Sequence, residues 1–230
     1  MRLLLSVLLL TTAITCNASS INVGNIAIQI PSPAGYARIT PEMSELYKLN
    51  QHFVAPTNIQ LAMYISEDAV PLALLGEIPD ISRRFDVQVS KKTANVSLSS
   101  ANFTVLKGLY VAQMEKVFKD IKAKLSEALS DASKGVSKQL NTEIVIKVGG
   151  VVPLTPHFQS DRILSSSIFM KNDIQDATGE PIAVVISATM ALVHVNNRVI
   201  FLYVYGNQED LEWTREQSRA WAEAIVKRNI

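Results

Sequence analysis

The apolar residues of the first part of the chain alternate with polar ones. INVGNIAIQIP spaces Ile26, Ile28 and Ile30 two residues apart, which is typical of a half-buried strand. IQLAMYIS and RFDVQVS are two further strand candidates of similar character. Between INVGNIAIQIP and IQLAMYIS, the segment TPEMSELYKLN has the N-terminal proline and the acidic first turn of a short helix.

The longest periodic segment is SLSSANFTVLKGLYVAQMEKVFKDIKAKLSEALSD. Its apolar residues recur at steps of three and four, and the pattern predicts one long amphipathic helix that packs on the protein's own sheet. Lysines that include Lys107 fall mostly off this stripe, so we expect them on a solvated face. The members of the stripe are Phe103, Leu106, Tyr110, Met114, Val117, Ile121, Leu125 and Ala128.

A long hairpin is predicted near the C-terminus. Asn196 and Asn197 tolerate positive φ, so they suit a two-residue turn between IAVVISATMALVHV and RVIFLYVYG. With Val195 opposite Arg198, the even-numbered and odd-numbered residues of the second strand face opposite sides, and both sides are apolar. A strand of this kind lies inside a sheet with material packed on both faces.

The final helix begins after Gly206, with Asn207 as the N-cap and Asp210 three residues later. Its apolar stripe contains Trp221 and leaves Trp213 pointing partly away. The sequence therefore predicts an α+β fold, an antiparallel sheet covered by helices that include the long central helix and this C-terminal helix.

Two aromatic residues at this corner are the candidate binding residues. Tyr205 ends the last strand, and Trp213 follows one helical turn into the final helix. An exposed tryptophan beside a strand-end tyrosine indicates a contact surface for a protein or small-molecule partner. The alternative is that both rings pack in the core or cover a sheet edge.

The N-terminus resembles an export signal. Arg2 precedes a Leu-, Val- and Ala-rich run that is too short to span a bilayer, and small residues follow it. We expect residues 1–18 to be a signal peptide cleaved after Ala18, which leaves a single periplasmic or secreted α+β domain over residues 19–230. In the alternative, Cys16 is the lipid-modified first residue of a lipoprotein, although Thr15 suits that cleavage poorly.

Composition narrows the chemistry of the mature chain. The chain has 230 residues, 48% of them hydrophobic, with a formal net charge of +1 and a single cysteine. The balanced charge gives no reason to expect a nucleic-acid partner. Cleavage after Ala18 removes Cys16, which excludes disulfides and cysteine metal sites. We predict no cofactor, no metal site and no transmembrane span in the mature chain.

Catalytic motifs are sparse. His157 and Asp161 in TPHFQSDR are a possible base and its orienting acid, so a hydrolase or other enzyme assembled around them is the competing hypothesis. His194, beside the hairpin turn, is expected at the surface or rim. In PDISRRFD, Arg83 and Arg84 are expected to pair locally with the flanking aspartates.

The segment FLYVYGNQEDLEWTREQSRAWAEAI, preceded by the hydrophobic hairpin and the export signal, resembles a group of uncharacterised exported proteobacterial proteins. The order of elements is also similar to the Mog1/PsbP-like fold, an antiparallel sheet covered by helices. The PsbP group is associated with photosystem assembly and Mog1 with binding a small GTPase, but no motif in this chain carries over either role. The resemblance therefore implies a non-enzymatic binding or envelope accessory protein.

Overall fold

A computed structural model describes residues 18–175, 177 and 179–230, with side chains for all of these except residues 18, 115 and 117–124. The predicted signal peptide, apart from Ala18, lies outside the described residues. The strands are β1 (Ala18–Val23), β2 (Ile26–Pro31), β3 (Tyr36–Arg38), β4 (Asn58–Ser66), β5 (Arg84–Ser90), β6 (Val145–Pro153), β7 (Phe158–Gln159), β8 (Ile163–Gln175), β9 (Pro181–Val195) and β10 (Arg198–Asn207). The α-helices are α1 (Ser44–Gln51), α2 (Val70–Leu74), α3 (Ser100–Ala112), α4 (Met114–Leu140) and α5 (Leu211–Arg228).

The main sheet is antiparallel and has β10 near its middle. Its strand order is β3-β4-β5-β10-β9-β8-β6, and the short β7 pairs with β8. β1 and β2 form a separate two-stranded hairpin. The predicted α+β class, with helices on an antiparallel sheet, is confirmed.

The β9–β10 hairpin has the predicted register. Asn196 and Asn197 have φ values of 48° and 57°, the left-handed conformation that a tight hairpin turn requires. Val195 pairs with Arg198, and further along Tyr205 pairs with Ala188. The capping box is also present, with the Asp210 carboxylate accepting the Asn207 backbone N–H at 2.9 Å.

The register divides the sheet into two faces, and the first face carries the main core. On β10, Ile200, Leu202 and Val204 are fully buried there. α5 and the β1–β2 hairpin cover this face, because the core cluster joins residues of these elements to the central strands. Tyr64, Phe85 and Trp221 meet edge to face at its centre.

The second face is covered by α1, α2, α3 and α4 in separate regions. One cluster joins Met63 and Ile65 of β4 to α1, α2 and Val136 of α4. The other joins Phe103 of α3 to the hairpin end of β8, β9 and β10. Between the two clusters, Tyr203 and Tyr205 remain half-buried, so this face is covered less completely than the first.

The two ends of the described chain are fastened to each other. The indole Nε1 of Trp221 donates a hydrogen bond to the Pro31 carbonyl at 2.8 Å. The Asn229 amide accepts the Gln29 backbone N–H and donates to the Gln29 carbonyl, both at 2.8 Å. These hydrogen bonds, from side chains of the C-terminal segment to the backbone of β2, hold α5 against the β1–β2 hairpin.

The long predicted helix is interrupted. α3 ends at Ala112 and α4 begins at Met114, because Gln113 has φ −109° and ψ 16°, outside helical values. Lys107, expected in solvent, is instead buried on α3 and donates to the Ser160 carbonyl. It lies one turn from Phe103 on the same helix face, so its apolar stem packs while its ammonium group finds a backbone acceptor.

His194 is also buried, contrary to the sequence expectation. Its ring stacks on Phe103 with centroids 5.1 Å apart, and its Nε2 lies 2.6 Å from the Leu98 carbonyl oxygen. Only 1% of the residue is exposed. His194 therefore helps to hold α3 on the second face.

Two serines of α4 accept hydrogen bonds from the backbone at the edge strand β6. The Ser133 hydroxyl accepts the Ile146 backbone N–H at 2.9 Å, and the Ser137 hydroxyl accepts the Ile144 N–H at the same distance. Edge strands expose unpaired backbone groups that promote association with other chains, and these two hydroxyls satisfy part of that edge. A cleft of about 670 Å³ lies between α4 and β6 beside them.

Ser133→Ala is expected to lower the free energy of unfolding by about 1–2 kcal/mol, because it leaves the Ile146 N–H without its acceptor. Chemical denaturation at neutral pH measures this difference. Ser130→Ala, an exposed position almost one turn earlier on α4, is the matched control and should change stability little. Equal stability of the two variants would show that Ser133 does not support the sheet edge.

Candidate functional site

The two predicted binding residues lie on opposite faces of the sheet. Tyr205 pairs with Arg84 on the second face, whereas Trp213 packs on the first face against Phe85, with ring centroids 5.7 Å apart. Trp213 also lies 6.3 Å from the Tyr36 ring. The structure therefore does not join Tyr205 and Trp213 into one surface, and the contacts of Trp213 are those of a core-covering residue.

Local ion pairing in PDISRRFD does not form. Arg83 bonds instead to the Asp210 carboxylate, 127 positions away in sequence, at 2.5 Å, and its guanidinium carbon lies 4.8 Å from the Trp213 ring centre. Asp80 accepts from the Ser82 backbone N–H. β5 begins at Arg84, and the Arg84 guanidinium lies over the Tyr205 ring and donates to the Ile81 carbonyl rather than pairing with Asp86.

Because Arg83 pairs with Asp210, Asp86 has no arginine partner. It lies on the second face of β5, directly between Met63 of β4 and Tyr203 of β10. Only 6% of the residue is exposed, and its Oδ1 has no hydrogen-bond partner. Within the described part of the chain, the carboxylate forms neither a hydrogen bond nor an ion pair. An uncompensated buried carboxylate is costly, so its presence calls for a reason.

Two tyrosines and an arginine surround this carboxylate. The rings of Tyr203 and Tyr205 are nearly parallel, with centroids 6.1 Å apart and planes inclined by 16°. The Arg84 guanidinium carbon lies 4.1 Å from the centre of the Tyr205 ring, a cation–π contact. We call Arg84, Asp86, Tyr203 and Tyr205 the second-face site.

Desolvation is the main cause of the pKa shifts at the second-face site. Burial raises the pKa of Asp86 to about 6, although the positive charge of Arg84 opposes the shift. Burial also raises the pKa values of the Tyr203 and Tyr205 hydroxyls, and the nearby Asp86 adds to both shifts. Both tyrosines nevertheless keep part of their surface exposed. Strongly desolvated titratable groups that keep part of their surface exposed are candidates for a functional site.

Further polar groups continue this face on both sides of the site. The Tyr110 hydroxyl of α3 lies 3.1 Å from the Ser166 Oγ of β8, and burial raises the pKa of Tyr110. On the other side, Asn58 donates to the Gln88 side chain at 2.8 Å. These pairs satisfy each other's hydroxyl and amide groups, whereas Asp86 Oδ1 and Gln60 Nε2 have no partner among the described residues.

His157 and Asp161 do not converge. The His157 Nδ1 lies 3.5 Å from the Ser167 Oγ, whereas Asp161 is exposed and lines a separate cleft with Ser100 and Thr104. Burial and the nearby positive charge of Arg215 lower the pKa of His157.

Ser167 is held as a structural hydroxyl. It is fully buried, lies 2.9 Å from the Thr189 Oγ1 and accepts a hydrogen bond from Arg215 Nε at 3.4 Å. A nucleophilic serine needs access to substrate and a base oriented by a third group. The described geometry gives Ser167 neither of these.

Metal-binding clusters and membrane-spanning helices are both absent from the described residues. Among residues 18–175, 177 and 179–230, no group of three or more histidine, cysteine, aspartate or glutamate side chains is placed to hold a metal ion. In the same part of the chain, no helix combines the length and hydrophobicity needed to cross a membrane.

Sequence reasoning missed Asp86 because it assigned the residue to surface ion pairing. A signal was present, since RFDVQVS alternates polar Arg84, Asp86 and Gln88 with apolar residues. On an edge strand this pattern indicates a solvated face. β5 is instead an inner strand between β4 and β10. Its polar residues Asp86 and Gln88 are therefore buried within the sheet rather than solvated.

Comparisons with known proteins give neighbours for the structure but none for the sequence. No protein-family model and no curated protein matches the chain. The solution structure of cyanobacterial PsbP (CyanoP) from Synechocystis is similar at 8% identity and a TM-score of 0.37, over 86% of this chain and 83% of that one. The Saccharomyces cerevisiae Ran-binding protein Mog1p is similar at 12% identity and a TM-score of 0.29, over 94% of this chain and 93% of that one.

A variant of Mog1 gives similar values, 13% identity and a TM-score of 0.32, over 92% of this chain and 90% of that one. PsbP and Mog1 are therefore structural neighbours of the chain, and they are the two groups that the sequence resemblance names. At these identities and TM-scores, nothing about the activity of the chain follows from them.

Asp86→Asn is expected to stabilise the protein at neutral pH. Because the folded-state pKa of about 6 exceeds the ordinary value of 3.8, the ionised carboxylate destabilises the fold above about pH 6 and ceases to do so below about pH 4. The difference corresponds to about 3 kcal/mol in the free energy of unfolding. Denaturation of both proteins between about pH 4 and pH 8 measures it.

The expected result is a stability gap in favour of Asp86→Asn that is widest near pH 8 and closes as the pH falls. Asp131→Asn is the matched control, since Asp131 is exposed and pairs with Lys134. A less stable Asp86→Asn variant at every pH would show that the carboxylate has a compensating partner in the fold.

Proposed function

We propose that the protein is an exported, non-enzymatic binding protein that holds a ligand or partner at the second-face site. The observation that carries the proposal is the buried Asp86 carboxylate, which has no partner of its own and lies among half-exposed tyrosine rings. Proteins retain destabilising groups of this kind at functional sites, where a bound molecule supplies the missing interaction.

The site has the mixed character of a binding site. Tyrosine rings supply rigid contact area at low entropic cost, and the charged groups Arg84 and Asp86 give orientation. Tyr205, a candidate from the sequence, belongs to this site. A role for Trp213 as a contact residue stays a prediction, and its packing on Phe85 and Tyr36 favours a structural role.

Binding is favoured over catalysis because the second-face site contains no evident nucleophile with an adjacent base. The alternative enzyme needs His157, Asp161 and a serine at one place, and Asp161 lies in a different cleft. Export is supported by the hydrophobic run and the small residues that precede Ser19.

Export is tested by the intact mass of the protein purified from its native host after separation of soluble and membrane fractions. We expect a soluble species that starts at Ser19. A membrane-bound species that starts at an acylated Cys16 would replace soluble export with a lipid anchor. A full-length cytoplasmic species would contradict export altogether.

Binding is tested by native mass spectrometry of the same purified material near neutral pH. We expect an additional mass on the unmodified protein that is lost in Tyr205→Ala and Asp86→Asn, because both substitutions alter the second-face site. Asp131→Asn, at an exposed position that pairs with Lys134 away from the site, is the control and should retain the additional mass.

Circular dichroism and thermal unfolding of each variant separate loss of the ligand from loss of the fold. Because Asp86→Asn is expected to be more stable than the native protein, unfolding cannot account for its loss of binding. An additional mass that survives both second-face substitutions, or no additional mass on any form, would contradict the proposed function.

A further inference from the structure

We propose that the second-face site binds a zwitterion of the α-amino-acid type, with its ammonium group at Asp86 and its carboxylate at Arg84. The inference rests on the proposed binding function and adds the chemical class of the ligand. It is carried by the charges, contacts and spacing of two residues on one face of β5.

Asp86 supplies the acceptor for the ammonium group. Its carboxylate is buried and unpaired within the described residues, with Oδ1 fully without a partner. An ammonium group has three donors and no acceptor, so it can satisfy such a carboxylate without introducing another unpaired lone pair. A charge-assisted pair in this desolvated position is stronger than the same pair in water.

Arg84 supplies donors for the carboxylate. One of its Nη atoms donates to the Ile81 carbonyl at 3.2 Å, and the other guanidinium N–H groups have no acceptor among the described residues. The planar guanidinium group matches a carboxylate with two parallel hydrogen bonds. Its stacking on Tyr205 holds it in one orientation.

The spacing of the two groups fits an α-amino acid. Arg84 and Asp86 are two residues apart on one strand, which places their Cα atoms roughly 7 Å apart on the same face. In an α-amino acid, the nitrogen and the carboxyl carbon are separated by roughly 2.5 Å. With a hydrogen bond of about 2.9 Å at each end, the two charged groups of the ligand can reach both side chains together.

The pair of charges also selects against simpler ions. A ligand with only a positive charge is attracted by Asp86 but repelled by Arg84, and a ligand with only a negative charge meets the reverse. A zwitterion with the correct orientation is attracted by both residues. Specificity therefore comes from the opposite signs at the two positions.

The neighbouring residues indicate an apolar ligand side chain. Met63 lies directly opposite Asp86 on β4, and Met190 lies directly opposite Tyr203 on β9, both on the second face. Methionine side chains adapt to irregular apolar shapes, and the tyrosine rings add flat contact area. An aliphatic or aromatic amino acid fits this environment better than a charged one.

The test measures the thermal unfolding of the full chain with each standard L-amino acid at about 5 mM and neutral pH, because a ligand that binds the folded state raises its unfolding temperature. Titration calorimetry then compares the amino acid giving the largest shift with two analogues. One is the corresponding amine without the carboxylate, and the other is the corresponding acid without the ammonium group.

We expect at least one apolar amino acid to bind, and both analogues to bind at least about tenfold more weakly. Asp86→Asn and Arg84→Gln should each weaken binding of the amino acid by a similar factor. Asp131→Asn and Arg219→Gln are the matched controls, because both residues form exposed ion pairs away from the site.

The inference is overturned if no amino acid shifts the unfolding temperature, or if the amine binds as tightly as the amino acid. If native mass spectrometry finds an Asp86-dependent ligand without an ammonium group, this inference fails while the proposed function stands. Amino-acid binding that is unchanged by Asp86→Asn would contradict the assignment of the ammonium group to Asp86.

Discussion

The pairing of β9 with β10 determines the side of the sheet on which the central aromatic residues lie. Asn196 and Asn197 provide the two left-handed residues that a two-residue turn needs, and the turn fixes the register. A shift by one residue would exchange the two faces, placing Tyr203 and Tyr205 in the main core and Leu202 and Val204 on the second face. The core and the second-face site therefore depend on the same turn.

The two faces are stabilised in different ways. The first face is a mainly apolar core of aliphatic and aromatic residues that also buries the linked hydroxyls of Ser167, Thr189 and Thr214. The second face divides its apolar contacts between two clusters and leaves a polar region between them. We expect the buried Asp86 carboxylate to reduce stability here at neutral pH, because no described neighbour bonds to it. The protein thus combines a closely packed first face with a second face that is covered less completely.

Local sequence patterns predicted the elements better than they predicted the site. The hairpin, its register and the Asn207–Asp210 capping box depend on turn and cap residues that act over a few positions, so they could be read directly. The break at Gln113 was missed because Gln is compatible with a helix, and the apolar spacing continues through it. Tertiary contacts of α3 and α4 with different parts of the protein decide that position.

The environment of charged groups was the least predictable property. Arg83 was expected to pair within its own loop, yet it pairs with Asp210, which is distant in sequence. Lys107 and His194 were assigned to the surface and are buried, because α3 brings Lys107 to the Ser160 carbonyl and covers His194 of β9 with Phe103. In each case the partner is contributed by a distant segment, and sequence spacing carries no information about it. Tyr205 could be identified as a candidate, whereas its isolated neighbour Asp86 could not.

The bonds of Trp221 and Asn229 to the β1–β2 hairpin have a consequence for the order of folding. They join positions roughly 190 to 200 residues apart, so the main core cannot close until almost the entire chain is available. Contacts this distant in sequence slow folding. Because α5 follows all the strands in sequence, the N-terminal hairpin can form these bonds only after the strands between them have been synthesised.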